Sequence, residues 1–372
     1  MNPTYAEINL NNLIYNYQNI RRKTKTKVLA VVKADAYGHG MIECVKALSN
    51  LKNKPEYYGV ALFEEALQLR KAKVINEPVL IFAPFNKELV KEYIKFKVLP
   101  TISNYSQIKF LKKLNLKKKL KIHVNINTGM NRLGLHYNEA EKNIVELSKI
   151  KNIEIDGVYT HFATSDERDK TYAELQLKRF KKILSELDRL NISYGIIHSA
   201  NSGAILDMPE TYFDMVRPGI SLYGYYPSLE TSESIKLKPV MSIYSKISTI
   251  GKLKKNESRG YGLIFTAKEK LLYGTLPIGY ADGLSRGLSN KIDVIIKNKL
   301  YPQIGRISMD RIAVNLKHAK IREGSIVTLL GKSKNCKIDA WVWAAILNTI
   351  PYEITCSISK RVPRKYSRRN NL

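Results

Sequence analysis

Two hydrophobic patterns alternate along the first 220 residues of the chain. Short continuous apolar runs, typical of strands buried on both faces, are followed by stretches with apolar residues at every third or fourth position, the helical spacing. The strands are predicted at 28–33, 57–62, 78–82, 98–102, 120–126, 153–160, 194–198 and 215–222, and the helices at 10–20, 64–71, 105–114, 138–150 and 171–190. Such alternation predicts parallel strands, and about eight of them would close a (β/α)8 barrel.

The pattern changes after about Pro239. Runs rich in β-branched residues predict strands at 240–250, 271–280, 292–296 and 325–330, interrupted by one helix at 339–348. The polar stretch 226–237, which contains a proline and several serines, predicts a linker. We therefore expect an N-terminal (β/α)8 TIM-type barrel over residues 1–235 and a C-terminal, mainly β-strand domain over residues 236–372. The first ten residues could pack with the second domain, and Asn11 or Asn12 could cap the first helix.

Composition limits the classes of protein to consider. The chain has 372 residues, 44% of them apolar, which is enough for two cores. Residues 1–10 are too polar for a secretory signal and no later segment could span a bilayer, so we expect a cytoplasmic protein without a membrane partner. The net charge of +29 raises the question of nucleic acid. The lysines are spread over nearly every predicted helix without interleaved aromatic residues, so we predict no nucleic-acid partner.

Candidate chemistry lies at the carboxyl ends of the predicted barrel strands, where barrel enzymes have their active sites. Lys33 ends the first strand, and a buried lysine can lose its proton near neutral pH and attack a carbonyl. Ser202, directly after Asn201, opens a short helix whose amides could bind phosphate. The amides of Gly219 and Ile220 could contribute to the same phosphate site. A lysine and a phosphate site at one barrel mouth predict pyridoxal 5′-phosphate.

Nearly the whole chain resembles the alanine racemase family. The resemblance rests on separate motifs in a fixed order: VVKADAYGHG, NTGMNRLG, YTHFATSDE, ANSGA, VRPGISLYG, RGYG, LPIGYADGLSR, GRISMD, YEITC and SKRVPR. It implies a pyridoxal-phosphate-dependent isomerase that interconverts L-alanine and D-alanine and supplies D-alanine for peptidoglycan. It also implies a homodimer in which each active site is shared between the two subunits.

The resemblance assigns two catalytic bases. Lys33 is implied to carry the cofactor as a covalent aldimine and to act on D-alanine, while Tyr261 acts on L-alanine. Two bases are needed because the proton leaves one face of the α-carbon and returns to the other. Since Tyr261 lies in the predicted second domain, a monomer would lack one base. Tyr37, Ser202 and Tyr352 are implied to hold the cofactor phosphate.

Further roles follow from the same resemblance. Arg217 is implied to donate to the pyridine nitrogen of the cofactor, which weakens the electron sink and favours racemisation over transamination. His161 is implied to link Tyr261 to Arg217 and so to help a phenol whose usual pKa is about 10 act as a base. Arg132 is implied to contact the cofactor's phenolic oxygen and the substrate carboxylate. The backbone amide of Met309 would be the second contact of that carboxylate.

The entrance to the site is implied to be narrow. Tyr280 and Tyr352 resemble an inner gate that admits side chains little larger than methyl. A wider outer constriction would be formed by Asp166, Arg286, Arg306 and Ile350. Asn125 stands where many family members carry a lysine that becomes carbamylated. An amide cannot form a carbamate, so we predict that a bound chloride, or Asn125 itself, positions Arg132.

Three alternative functions stay open. The first is a racemase for serine or for a broader set of amino acids, since serine is only one oxygen larger than alanine. The second is a non-catalytic pyridoxal-phosphate-binding protein, although Tyr261 and the second domain weigh against a lone barrel. The third is a barrel decarboxylase, which is disfavoured because Arg217 replaces the acidic partner that such enzymes use.

Overall fold

A computed structural model describes residues 3–317 and 319–368 of the chain. The residues cluster into two compact units. The first, here called the barrel unit, comprises Ile14–Ala36 and Met41–Leu237. The second, here called the β unit, comprises the chain up to Leu13, the segment Tyr37–Gly40 and the chain from Lys238 onward.

The centre of the barrel unit is a parallel sheet that closes on itself. Its eight barrel strands are Lys27–Val31, Tyr57–Val60, Val79–Pro84, Val98–Ile102, Leu120–Asn127, Ile153–Tyr159, Ile196–His198 and Met215–Val216. The eighth strand pairs with the first through Met215 and Lys27, which closes the barrel. A short extra strand, Leu135–His136, pairs beside the fifth barrel strand. The predicted (β/α)8 barrel is confirmed.

Helices alternate with these strands. They are Leu10–Thr24, Met41–Ser49, Phe63–Ala72, Val90–Phe96, Tyr105–Lys112, Ala140–Ser148, Thr171–Arg189 and Ser202–Asp207, with short 3₁₀ turns at Lys87–Leu89, Pro209–Thr211 and Ile220–Tyr223. The longest helix buries Leu177, Phe180 and Leu184, which recur at spacings of three and four residues and so lie on one face.

Two local predictions for the barrel were wrong. The first helix is capped by Asn9, whose side-chain oxygen accepts a hydrogen bond from the amide of Asn12 at 3.1 Å, and not by Asn11 or Asn12. The eighth strand ends at Val216 instead of residue 222. Pro218 has no N–H to donate to a neighbouring strand, and the chain turns at Gly219 into the 3₁₀ segment that follows.

The β unit is built on a second sheet, of ten strands. These are Tyr5–Asn9, Met241–Lys246, Thr249–Leu253, Leu271–Leu276, Asp293–Ile296, Lys299–Ile304, Ile312–Lys317, Ile326–Ser333, Cys336–Ile338 and Arg364–Ser367. The first of them pairs antiparallel with the second and parallel with the last. This confirms the predicted mainly β fold of the C-terminal region.

Two helices accompany this sheet, Ala340–Leu347 and Pro351–Ser357, with 3₁₀ turns at Tyr261–Leu263, Tyr280–Asp282 and Arg286–Leu288. Only the first of these helices was predicted. The second is short and begins with a proline, which suits the first helical position. Over the whole described part of the chain, no helix has both the length and the apolar character needed to cross a membrane.

Candidate active site

The backbone after Lys33 forms a turn of left-handed helix. Ala34, Asp35 and Ala36 have φ values of 52°, 53° and 56°. Tyr37 continues the run with a φ of 55°. This region costs a residue with a side chain about 1–2 kcal/mol. Strain of this kind persists only where the surroundings hold it, and it is concentrated at functional sites.

Two carboxylates hold this turn from within the barrel unit. Glu65 accepts the amide of Ala34 at 2.6 Å on one oxygen and the amide of Ala61 at 2.8 Å on the other. Asp35 accepts the amide of Met41 at 2.7 Å. Sequence reasoning missed Glu65, which reads as one more acidic residue of a surface helix. Its position three residues after the helix N-cap is the available signal, because a carboxylate there commonly reaches back to free amides.

The segment that follows the turn is fixed within the β unit. Gly38 has a φ of +83°, and a Cβ there would lie 2.2 Å from the carbonyl oxygen of Thr355, so only glycine fits. Arg364 donates to the Gly38 carbonyl through Nε at 3.1 Å and Nη2 at 3.0 Å. Tyr37 is buried, with its ring centroid 5.9 Å from that of Tyr352. Burial raises the pKa of Tyr37, so its phenol stays protonated and can donate.

Ser202 lies where a phosphate site was predicted, and it is 5% exposed. Its Oγ accepts the amides of Gly219 at 2.9 Å and Ser221 at 3.4 Å, which occupies both lone pairs. The hydroxyl proton of Ser202 has no acceptor among the described residues. The amide of Gly219, by contrast, is already engaged. Asn201 is the N-cap, since its side-chain oxygen accepts the amide of Ala204 at 3.1 Å.

Three backbone amides at this place donate to no other described residue. They belong to Ser202 and Gly203, in the first turn of one helix, and to Ile220, which opens a 3₁₀ turn. The first amides of a helical turn have no partner within the turn. Together with the Ser202 hydroxyl they form a cluster of donors that an anion could satisfy.

Arg217 is 3% exposed and follows the eighth barrel strand. Its Nη2 donates to the carbonyls of Thr160 at 2.7 Å and Ser199 at 3.0 Å and lies 3.3 Å from Nδ1 of His161. Its Nη1 lies 3.0 Å from Nδ1 of His198. Burial lowers the pKa of Arg217 to about 10, so the guanidinium stays charged at neutral pH.

These contacts define the state of His161. A guanidinium only donates, so Nδ1 of His161 must accept from Arg217 and the ring proton must lie on Nε2. Burial and then the charges of Arg217, Arg132 and Lys33 lower the pKa of His161 well below its usual 6.5. His161 is therefore neutral at physiological pH and has one N–H left to donate.

The loop that carries Arg132 is organised by two asparagines. The Asn127 side-chain oxygen accepts the amide of Asn131 at 3.0 Å. The Asn125 amide donates to the carbonyl of Leu133 at 3.3 Å and so supports the backbone next to Arg132. No hydrogen bond joins Asn125 to the Arg132 guanidinium among residues 3–317 and 319–368. The structure therefore does not support direct positioning by Asn125, and the chloride stays a prediction.

Sequence reasoning missed three side chains around Arg217. Tyr159 stacks on His198, with ring centroids 4.9 Å apart and an angle of 18°, and the Arg217 guanidinium lies 5.2 Å from the Tyr159 ring centroid. His198 and His123 are fully buried. The available signal is a histidine in the middle of an apolar strand pattern, as in KIHVNI and GIIHSA.

In the β unit, Tyr261 projects from a glycine-rich turn and is 72% exposed. Gly260 and Gly262, with φ values of 82° and 69°, allow the chain to turn on both sides of it. Arg306 donates from Nε to the Tyr261 carbonyl at 3.3 Å. The backbone of the turn is thus tied down while its phenol stays accessible within this chain.

Tyr280 and Met309 lie on adjacent backbone in the same unit. The Tyr280 amide donates to the carbonyl of Ser308 at 3.0 Å, and a Cβ at Gly279 would lie 2.2 Å from that same oxygen. Tyr280 is 43% and Met309 51% exposed. The Met309 amide donates to none of the described residues and is available to a ligand.

The remaining predicted entrance residues are divided between the units. Arg286 and Ile350 are exposed and Arg306 is partly buried, all in the β unit. Asp166 is partly buried in the barrel unit, where its carbonyl accepts a hydrogen bond from the Ser228 hydroxyl. The structure thus locates these residues on exposed or half-exposed surfaces of their own units.

The fold and these residues define a class: a (β/α)8-barrel protein that has a lysine, a buried arginine and a cluster of donors without acceptors among the described residues, all after barrel strands, followed by a mainly β domain. Models of the alanine racemase N-terminal and C-terminal domains match residues 8–227 and 240–366. The chain belongs to the alanine racemase family, whose members depend on pyridoxal phosphate.

Individual relatives match over nearly their whole length. The alanine racemase of Clostridium tetani is 40% identical over 379 residues, covering 100% of this chain and 97% of the relative. Alanine racemase 2 of Caldanaerobacter subterraneus subsp. tengcongensis is 41% identical, with coverages of 98% and 95%. The solved alanine racemase of Clostridium difficile 630 is 38% identical, with a TM-score of 0.91 and coverages of 99% and 96%. That of Bacillus anthracis with bound L-Ala-P is 31% identical, with a TM-score of 0.90 and coverages of 99% and 96%.

Proposed function

We propose that this protein is an alanine racemase that interconverts L-alanine and D-alanine with pyridoxal phosphate. The observation that carries the proposal is the buried Arg217, which follows the eighth barrel strand and donates to a neutral His161, while Lys33 lies two residues beyond the end of the first barrel strand. Arg217 would donate to the ring nitrogen of the cofactor and keep that nitrogen unprotonated, which favours racemisation over transamination. From the family we infer that the protein works in the cytoplasm and that its biological role is to supply D-alanine for peptidoglycan.

The donors of this chain suit the cofactor's phosphate. The hydroxyl proton of Ser202 and the amides of Ser202, Gly203 and Ile220 are without acceptors, and an anion would satisfy them. Tyr37, protonated because it is buried, would add a further donor, as would Tyr352 beside it. When bound, the cofactor supplies an electron sink for the electron pair that stays on the α-carbon when the α-hydrogen leaves as a proton.

Lys33 is the proposed attachment point and the base on one face of the α-carbon. The left-handed turn after it is held by Glu65 and Asp35, which fixes the backbone next to the lysine. A fixed origin limits the positions that the flexible lysine side chain can reach, and such positioning favours proton transfer. We propose that Lys33 takes the proton from, and returns it to, the D enantiomer.

Tyr261 is the proposed base on the other face, and it would act on the L enantiomer. A phenol with a pKa of about 10 needs help to work as a base near pH 7. His161 can give that help, because its remaining proton is on Nε2 and can be donated to a phenolate oxygen. We propose that Tyr261 of the partner subunit approaches His161 in a head-to-tail homodimer.

The exposed surface of the β unit supports this dimer. Tyr261 lies close in sequence to two exposed apolar residues, Leu263 at 66% and Ile264 at 37%. Met309 and Ile350 are also about half exposed. The neighbouring exposed side chains of Leu263 and Ile264 are of the kind that association with another protein would cover.

Substrate selection is assigned to the charged and aromatic residues nearby. Arg132 and the free amide of Met309 would bind the substrate carboxylate. Tyr280 and Tyr352 would form the inner gate. The outer constriction would be formed by Asp166, Arg286, Arg306 and Ile350.

The proposal is tested by incubating the purified protein, pyridoxal phosphate and L-alanine in heavy water, then measuring the enantiomers and their deuterium content. We expect deuterated D-alanine, because solvent exchanges with a base on the second face. Deuterium in L-alanine without inversion would contradict the two-base assignment. No exchange with alanine, but exchange with serine, would move the protein to the serine racemase alternative.

A further inference from the structure

A line of four side chains leads from Arg217 through the interior of the barrel. Nη1 of Arg217 lies 3.0 Å from Nδ1 of His198. Nε2 of His198 lies 2.9 Å from Nδ1 of His123, and Nε2 of His123 lies 3.3 Å from Oδ2 of Asp156. Both histidines are fully buried.

The donors and acceptors at its two ends fix the direction of this line. Arg217 has only donors, so Nδ1 of His198 must accept, and the neutral ring of His198 then carries its proton on Nε2. That proton is donated to Nδ1 of His123, which places the proton of His123 on Nε2 as well. Nε2 of His123 then donates to Asp156. Every hydrogen bond points the same way, from the cation to the carboxylate.

The ionisation states agree with this reading. Burial and then the charge of Arg217 lower the pKa of His198 well below 6.5, and burial also lowers the pKa of His123. Burial alone would raise the pKa of Asp156. Hydrogen bonds from His123 and Lys121 outweigh it and hold that pKa below its usual value. Two neutral rings therefore separate one cation from one anion.

The barrel is locally adapted to this line. Ile122 pairs with Ile155 but His123 pairs with Gly157, so Asp156 is an extra residue, a β-bulge in the sixth barrel strand. Bulges of this kind re-aim a side chain. A Cβ at Gly157 would lie 2.6 Å from Cε1 of His123, so the glycine makes room for the ring.

Asp156 is held from two further sides. Tyr57 donates its hydroxyl to Oδ2 at 3.0 Å, and Lys121 lies 2.9 Å from Oδ1. Arg217, in contrast, has no carboxylate within salt-bridge distance among residues 3–317 and 319–368. The carboxylate connected to this buried cation is therefore Asp156, through two imidazoles.

We propose that Asp156 is a positioning residue for Arg217: through His123 and His198 it fixes both imidazole tautomers, so that a lone pair holds the guanidinium and part of its charge is offset. The proposal rests on the proposed function, in which Arg217 donates to the ring nitrogen of the cofactor. A guanidinium whose charge is less offset is a stronger donor. It would strengthen the electron sink, lengthen the life of the carbanion and raise transamination relative to racemisation.

The test compares the wild-type holoenzyme with the Asp156→Asn variant. The control is Glu154→Gln, which removes a carboxylate from the same strand that pairs with Lys119 and Lys121 but lies outside the line. We expect the ratio of transamination to racemisation, measured as pyruvate formed per inversion, to rise about threefold to tenfold in Asp156→Asn, as loss of one charge through the barrel implies. The control should match the wild type. An unchanged ratio in Asp156→Asn would overturn the proposal.

The second readout is the ¹⁵N NMR spectrum of histidine-labelled holoenzyme, with signals assigned by replacing histidines one at a time. In the wild type we expect His123 and His198 each to show a single neutral tautomer with the proton on Nε2. In Asp156→Asn, the amide can present an oxygen or an NH₂ group, and the His123 signals should move towards the average of both tautomers. A wild-type His198 with its proton on Nδ1 would refute the proposal even if a variant failed to fold. Absence of racemisation in the wild type would refute the proposed function. The NMR spectrum would still test the line of hydrogen bonds, because the tautomers are measured independently of activity.

Discussion

The functional residues of the two units differ in how completely one chain fixes them. In the barrel unit, Arg217 and Ser202 are 3% and 5% exposed, and each makes at least two hydrogen bonds. In the β unit, Tyr261 and Met309 are 72% and 51% exposed. The difference indicates that a single chain organises one half of the proposed chemistry and presents the other half at its surface.

This difference has a physical basis. Groups that stabilise charge act best when they are already oriented in a low-dielectric place, and that requires burial and a full set of hydrogen bonds. The barrel meets both conditions for Arg217. Tyr261, in contrast, is exposed to water within this chain and has no such surroundings until another surface covers it. A second copy of the chain is the covering surface that the proposed function requires.

The largest effect is expected from a substitution in the barrel unit. Lys33→Ala removes the proposed attachment point and one base, and we expect racemisation to fall by a factor of at least about 10⁴, the upper end of what a single acid–base group contributes. Chiral chromatography measures the rate. Covalent attachment of the cofactor, trapped by borohydride reduction and detected by mass spectrometry, should be lost as well.

Lys27→Ala is the matched control for this variant. Lys27 begins the same strand and is exposed, so its removal tests for a general effect of losing a lysine. It should retain both the rate and the attachment. Retained covalent attachment in Lys33→Ala would mean that another lysine carries the cofactor.

The second variant tests whether the two bases of one active site, Lys33 and Tyr261, come from different chains. Tyr261→Phe removes the second base, and we expect a loss of about 10²–10⁴-fold. Mixing it with Lys33→Ala under conditions that exchange subunits should then restore activity. In a two-fold dimer with shared sites, a hybrid holds one site with both bases and one with neither, so about a quarter of wild-type activity should return. No recovery despite hybrid formation would place both bases in one chain.

The same contrast explains what could be predicted from the sequence. The eight barrel strands follow from local apolar runs, and the barrel that they predict was confirmed. Lys33 lies two residues beyond the observed end of the first strand instead of closing it, and its role stays a prediction. The line from Arg217 to Asp156 could not be derived this way. It depends on a bulge and on the pairing of His123 with Gly157, which no local pattern shows.

Short and irregular segments account for most of the errors. The strand predicted at 215–222 is two residues long, because Pro218 and Gly219 end it despite the apolar residues that follow. The strand Tyr5–Asn9 is five residues long, too short for its pattern to be distinguished from the helix that begins next to it. The predicted roles of the β-unit residues rest on the family resemblance, because nothing in composition or spacing distinguishes these exposed residues from other surface residues.

A smaller effect concerns the stability of the barrel in acid. His123 and His198 have pKa values below 6.5 when folded, so the unfolded chain binds more protons once the pH falls below about 6.5. The free energy of unfolding should therefore fall with pH below that point, by at most about 1.4 kcal/mol per pH unit for each histidine. The loss should stop only below the folded pKa values.

The chain offers a separate probe for each unit. Both tryptophans lie in the helix Ala340–Leu347 of the β unit, so their fluorescence reports that unit, while far-ultraviolet circular dichroism is dominated by the barrel helices. Between pH 7.5 and 5.5, we expect the urea midpoint seen by circular dichroism to fall more than the midpoint seen by fluorescence. A circular-dichroism midpoint that does not fall would contradict the neutral state assigned to the two histidines.

The smallest effect is expected from a substitution on the exposed surface of the β unit, at Tyr280. If Tyr280 is part of a gate that limits the substrate, Tyr280→Ala should favour the larger substrate, and the ratio of kcat/KM for serine to that for alanine should rise about tenfold. Tyr105→Ala is a control of similar exposure in the barrel unit, where Tyr105 bonds to Glu146. It should leave the ratio unchanged. Loss of activity on both substrates in equal proportion would assign Tyr280 to general binding, because a residue that selects by size changes the two rates unequally.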